Sequence, residues 1–135
     1  MDLPPFYAAI VVHDLDASRS FYGELLGCLE GRCSDSWVDF NFYGHQLVCH
    51  LDSSAAADWY GLHKTNSVDG EDVPVPHFGV VLSMPEWQQL ARRLRRQQAR
   101  FVIDPGIRFI GELGEQATLF IADPSGNVLE FKAFG

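Results

Sequence analysis

Cysteine is scarce in this chain of 135 residues: Cys28, Cys33 and Cys49 are odd in number, and no two of them form a CxxC pair. That spacing offers neither a disulfide framework nor a cysteine zinc site, so reduced thiols are expected. Long hydrophobic runs are missing too. Phe6 to Val12 falls far short of the ~20 residues that a membrane helix needs, and no basic segment precedes it as in a signal peptide. The expectation is a cytoplasmic protein with no membrane partner. No GxGxxG or GxxxxGKS/T phosphate loop occurs, nor a GxSxG nucleophile elbow. Cys49 and His50 are adjacent on an expected strand and so point to opposite faces, which disfavours a thiol nucleophile.

Bases are also few, 10 Lys and Arg against 18 Asp and Glu, for a net charge of −8. The imbalance lies in the first half, where 12 acids face only Arg19, Arg32 and Lys64 up to residue 74, giving −9; the remainder, with 7 bases and 6 acids, is +1. Arg92, Arg93, Arg95, Arg96 and Arg100 lie on or just after one expected helix and read as its solvated face. An acidic first half would repel a phosphate backbone, so no nucleic-acid partner is expected. With 47% apolar residues, the chain is neither disordered nor fibrous, and its length suits a single domain over residues 1–135.

Phe6 to Val12 reads as a strand with Tyr7, Ala9 and Val11 on one face. Asp14 or Asp16 caps a helix whose stripe is Ala17, Phe21 and Leu25, with Tyr22 and Leu26 beside it, ending at Gly27. Leu29 to Cys33 is a weaker strand. Trp37 to Tyr43 and Gln46 to Leu51 are two strands around a turn at Gly44. Residues 52–75 turn polar and irregular, a long connection that either covers a pocket or simply links. His77 to Leu82 is then a strand, and Trp87, Leu90, Ala91 and Leu94 mark a helix entered through Pro85. Phe101 to Asp104 is a short strand, Pro105 to Gly114 a loop, and Gln116 to Ala122 and Asn127 to Phe131 strands around Asp123-Pro-Ser-Gly126.

The order βαβββ therefore occurs twice, in modules of about residues 4–51 and 76–134. Aligning Tyr7 with His77 pairs Ala9 with Gly79 and Val11 with Val81. Aligning Gly44 with Gly126 pairs Val48 with Glu130 and His50 with Lys132.

Three stretches together resemble the vicinal-oxygen-chelate superfamily, which includes glyoxalases, bleomycin- and fosfomycin-resistance proteins and extradiol dioxygenases. They are Ala8-Ala-Ile-Val-Val-His-Asp-Leu15 running into Phe21-Tyr-Gly-Glu-Leu-Leu-Gly27, then Pro76-His-Phe-Gly79, then Asp123-Pro-Ser-Gly-Asn-Val-Leu-Glu-Phe131. The resemblance implies an α+β fold in which two βαβββ modules curl into an open, mostly antiparallel barrel with helices outside. It also implies a homodimer, a small-molecule substrate and metal ligands on the first and last strands of each module. His77 and Glu130 match those positions, and together they suit Fe, Mn, Zn or Ni as a divalent ion. In the first module the same positions hold Tyr7 and Val48. Val48 argues against glyoxalase isomerisation and favours dioxygenase-like chemistry.

Tyr7 has three readings: a core aromatic, a group over the substrate, or a phenolate ligand. His50 shares the face of Val48 and is either a ligand or a substrate group. Arg108 is a candidate for a substrate carboxylate or an ordinary ion pair. Trp37 and Asn41, with Asp39, line the cavity or face water. Trp37 and Tyr43 share parity and would make an aromatic wall. His45 is expected on the surface of a turn, and His13 and His63 are expected to be inert. The competing function is a metal-free binding protein of the antibiotic-resistance type, holding a cationic ligand against the acidic half.

Overall fold

A computed structural model of the chain describes residues 3–55 and 64–135, so His63 lies outside the described residues. Strand β1 (Tyr7–Val12) leads into helix α1 (Leu15–Ser18), which widens into a π-helical segment over Arg19–Leu25. Strands β2 (Leu29–Cys33), β3 (Trp37–Phe42) and β4 (His45–Leu51) complete the first module. A hairpin of β5 (Lys64–Val68) and β6 (Glu71–Val75) precedes the second module, made of β7 (Phe78–Val81), α2 (Met84–Arg96), β8 (Phe101–Arg108), β9 (Gln116–Ala122) and β10 (Val128–Phe134).

The expected repeat is present in the strand order. One sheet runs β1-β4-β3-β2 and the other β7-β10-β9-β8, each with a single parallel pair (β1 with β4, β7 with β10) and otherwise antiparallel. The α+β architecture with open sheets stands as expected. Ala9 opposes Val48 and Gly79 opposes Glu130, so the register reproduces the correspondence read from the two turns.

Period two then divides each sheet. Val12, Val38, Phe40, Phe42, Leu47 and Cys49 face the core in the first module, as do Leu119, Ile121, Leu129 and Phe131 in the second. Both helices close over this one core. Asp14 caps α1 by accepting the Ala17 amide at 2.9 Å. The Leu26 amide then reaches back five residues to the Phe21 carbonyl at 3.0 Å, a wider turn than the spacing of Ala17, Phe21 and Leu25 predicts. That widening buries both Phe21 and Tyr22. Ser83 caps α2, the predicted stripe Trp87, Leu90, Ala91 and Leu94 is buried, and Trp87 Nε1 donates to the Phe131 carbonyl at 2.9 Å. Cys28 and Cys49 are buried thiols, pushed up by burial to about 11 and about 12 respectively, while Cys33 is exposed.

The modules are also tied by the Asp123–Asn127 turn. Tyr22 Oη donates to Asp123 Oδ2 at 2.8 Å, Asn127 Nδ2 to the Val11 carbonyl at 2.9 Å, and the His13 amide to Ser125 Oγ at 2.9 Å. Asp123 Oδ1 accepts the Ser125 and Asn127 amides as well, so a stretch that resembles the family also clasps one module to the other.

Several local expectations are corrected. Residues 64–75 are not irregular: β5 and β6 form a hairpin around Asp69 and Gly70, both with positive φ, and Asp-Gly is a turn pair whose twist suits a two-residue loop. The stretch 105–108 is strand rather than loop. His45 opens β4, where its Nδ1 accepts the Phe6 amide at 2.8 Å. Tyr43 turns with positive φ and packs edge-on to Phe42 and Phe131, so it leaves the face that Trp37 occupies.

Candidate metal and ligand site

The face of the second sheet opposite α2 holds Glu130 and Lys132 on β10, and Thr118 and Phe120 on β9. Glu130 sits directly across from Phe120, and Lys132 across from Thr118. The β5–β6 hairpin lies over this face, where Val73 is buried against Phe120 and Val128. His77 stands just before β7 at the hairpin's base, its ring edge-on to Phe120 with centroids 5.0 Å apart.

His77 and Glu130 are brought together as expected. Nε2 of His77 lies 3.2 Å from Glu130 Oε1, and Nδ1 lies 2.8 Å from the Pro74 carbonyl. A carbonyl only accepts, so Nδ1 carries the proton, which leaves Nε2 of the neutral ring with a lone pair aimed at a carboxylate. That juxtaposition requires a positive charge between the two atoms, either a proton on Nε2 or a metal cation. Glu130 Oε2 accepts from Thr118 Oγ1 at 2.5 Å, and Lys132 Nζ is 3.7 Å from Oε1.

The charges bear this out. His77 is raised above its ordinary value, first by its bond to Glu130, against the opposing effect of burial. Burial acts to raise Glu130, but the bonds from His77 and Thr118 and the charge of Lys132 outweigh it, and the carboxyl ends below its ordinary value. A neutral imidazole, a carboxylate and a carbonyl that fixes the ring's tautomer are what two corners of a divalent-ion shell need. Among the described residues no third His, Cys, Asp or Glu converges on them.

The first-module candidates share one face of their own sheet. Tyr7 pairs with Gln46 and Val11 with His50 on β4; across β4, Asn41, Asp39 and Trp37 pair with Gln46, Val48 and His50. Tyr7 is 64% exposed, which removes its reading as a core aromatic. No hydrogen bond, ion pair or ring contact joins Tyr7 or His50 to the His77–Glu130 pair among the described residues. Asn41 Oδ1 accepts the Gly44 amide at 2.7 Å in the β3–β4 turn, and Asp39 accepts from the Arg32 amide on β2 and the Gln46 side chain on β4, so both serve their own sheet. Trp37 is half-buried, with the Arg32 guanidinium 5.8 Å from its ring centre.

Arg108 lies on β8 opposite Gln116, on the same face as Thr118 and Phe120. It is 4.0 Å from Asp69 at the hairpin tip, and its Nη2 is buried without a hydrogen-bond partner among the described residues. Sequence reasoning missed Thr118 and Lys132 as partners of Glu130, and Pro74 as the acceptor for His77. Alternation signalled the first two, whereas the Pro74 contact depends on a hairpin that polar residues concealed.

Comparison with known proteins agrees with this fold. Residues 6–131 match the profile of the Glyoxalase/Bleomycin resistance protein/Dioxygenase superfamily. The crystal structure of a glyoxalase/bleomycin resistance protein/dioxygenase from Alicyclobacillus acidocaldarius is 31% identical, with a TM-score of 0.76, covering 97% of this chain and 91% of that one. Two more distant structures share the fold. Lactoylglutathione lyase from Agrobacterium tumefaciens is 18% identical, with a TM-score of 0.65 and coverage of 96% and 92%. The fosfomycin resistance protein FosX from Listeria monocytogenes is 16% identical, with a TM-score of 0.69 and coverage of 98% and 94%. Curated proteins gave no significant match. No helix among the described residues is long and apolar enough to cross a membrane.

Proposed function

The chain belongs to the glyoxalase/bleomycin resistance protein/dioxygenase superfamily, and from that premise we propose a metal-dependent enzyme acting on a small oxygenated substrate, with His77 and Glu130 as metal ligands. The observation that carries the reading is His77 Nε2 lying 3.2 Å from Glu130 Oε1 while Nδ1 is committed to Pro74, so that Nε2 is the atom that takes either a proton or a cation beside the carboxylate. A divalent ion held there supplies Lewis acidity to a substrate's adjacent oxygens. The chain's own residues do the rest. Pro74 orients the imidazole, Thr118 and Lys132 keep Glu130 ionised, and Phe120 and Val73 keep one side of the pair apolar. Val48 in place of a first-module carboxylate supports dioxygenase-like chemistry over glyoxalase isomerisation.

Tyr7 or His50 would complete the shell from the first-module face, and a homodimer is the arrangement in which that face is covered. Tyr7, Val11 and Leu29 stand on it 64%, 48% and 76% exposed among the polar Asn41, Gln46 and His50, whereas the corresponding face of the second module already lies under the hairpin. Sedimentation of the purified chain reads this directly.

Metal analysis and Mn(II) or Zn(II) titration of untagged protein, alongside His77→Ala and Glu130→Ala, test the site. Near-stoichiometric uptake in the parent, lost in both variants, is expected. No uptake, or uptake that survives both changes, overturns it. A second reading, the metal-free binding protein, is favoured by the exposed Tyr7 where the family places a ligand and by the −9 first half. It requires thermal stabilisation by cationic aromatic compounds and none by divalent ions.

A further inference from the structure

Arg108 reaches the site through an irregularity in its strand. Phe101 opposes Ile121 and Ile103 opposes Phe120, with one extra residue between them, and Gly106 rather than residue 105 opposes Thr118, which accommodates a second. Such a bulge reverses which side chains face which way. Without the second extra residue, Ile107 would stand opposite Gln116 and Arg108 would turn toward the core face. With it, Arg108 opposes Gln116 on the face that carries Thr118, Phe120 and Glu130.

The guanidinium arrives there largely buried, its side chain 15% exposed, and incompletely satisfied. Among the described residues Nη2 has no hydrogen-bond partner, and Nη1 has only Asp69 Oδ2 at 4.0 Å, beyond hydrogen-bond reach. A buried charged donor left unpaired is costly, and a planar fork of N–H groups is matched by a carboxylate's two oxygens. Glu130 lies across from Phe120, four residues or roughly 14 Å along β9 from Gln116, but its carboxylate reaches back to Thr118, two residues or roughly 7 Å from the level of Arg108. That is the length of a compact organic acid.

We propose that Arg108 is a carboxylate-binding, specificity-determining residue, and that the substrate is an oxygen-chelating carboxylic acid spanning from Arg108 toward the His77–Glu130 end of the face. The assignment of the far end rests on the metal-site reading above; the carboxylate subsite stands on Arg108 alone. Asp69 at the hairpin tip is the internal carboxylate that an incoming acid displaces. Its removal therefore favours the ligand, whereas in a purely structural ion pair its removal would only loosen the hairpin.

The test uses the full chain, labelled with 15N and kept metal-free with chelator, so that its outcome is independent of metal uptake. The Arg108 Nε–H resonance is assigned by comparison with Arg108→Lys and followed during titration with benzoate, benzamide and inorganic phosphate. Expected are a saturable shift with benzoate, none with benzamide, and a benzoate affinity raised about three- to tenfold in Asp69→Asn. Arg108→Lys keeps the charge, loses the fork and binds benzoate more weakly than the parent. Absence of a saturable benzoate shift, an equal response to benzamide, or tighter binding of phosphate than of benzoate overturns the assignment. So does unchanged or weaker benzoate binding in Asp69→Asn, which keeps the test intact if the Arg108 variant folds poorly. Loss of metal uptake with benzoate binding retained would remove the metal reading and leave this one standing.

Discussion

Gly79 has no room for a side chain because a Cβ there would fall on the carbonyl oxygen of Glu130, its partner in the parallel β7–β10 pair. The equivalent position in the first module is Ala9, opposite Val48, where a Cβ is present. The second module thus closes its strands more tightly at the level of the ionised pair, and the position of Glu130 depends on a missing methyl group two residues from His77.

Gly79→Ala should therefore act on the site as well as on stability. The clash is with backbone, which cannot rotate away, so β7 must separate from β10 at a cost of about 3 kcal/mol or more. Urea unfolding measures the loss. Ala9→Gly, at the equivalent place, should cost no more than about 1 kcal/mol. Equal effects at the two positions would show that the close approach is immaterial.

The contrast between the modules also shows what was legible beforehand. His77 and Glu130 could be placed from the repeat, because strand alternation and the turn at Asp123 fix which residues face away from Leu129 and Phe131. The hairpin could not, since polar β5 and β6 pair through their backbones and bury little beyond Val73 and Pro74, so hydrophobic period carries almost no signal there. Arg108 was visible as a candidate but not as a strand residue. Pro105 and Gly106 read as breakers, and in an edge strand such residues mark a bulge as readily as an end.

Asp123 gives the clasp between modules an unusual pH response. Burial, the largest effect, raises its carboxyl above the ordinary value, and its bonds to Asn127, Tyr22 and Ser125 only partly offset that. The folded chain therefore holds this proton at a pH where the unfolded chain has released it. The contribution to stability is greatest below the unfolded value of 3.8 and declines as pH rises through the folded one. Tyr22→Phe removes one of the bonds that favours the ionised form. It should cost about 1–3 kcal/mol near neutral pH and distinctly less in acid. Urea melts across pH decide it, and a loss that does not vary with pH would contradict the assignment.

Val73 is the residue through which the hairpin holds the second-module face. It is 5% exposed against Phe120 and Val128, whereas the β5 residues around it are open to solvent. Val73→Asp places a charge in that contact, and the hairpin can relieve it by lifting while β7 to β10 remain packed on α2. The cost to global unfolding should be modest, about 1.5–3 kcal/mol for the lost burial. The distinguishing change is local. Amide exchange should accelerate through residues 64–75 while β9 and β10 keep their protection. Lifting also withdraws Pro74 from His77 and Asp69 from Arg108, so the variant should bind divalent metal more weakly and expose the guanidinium to small carboxylates. If exchange instead accelerates in β9 and β10 to the same degree, the hairpin is an integral part of that sheet's stability and not a cover that can open by itself.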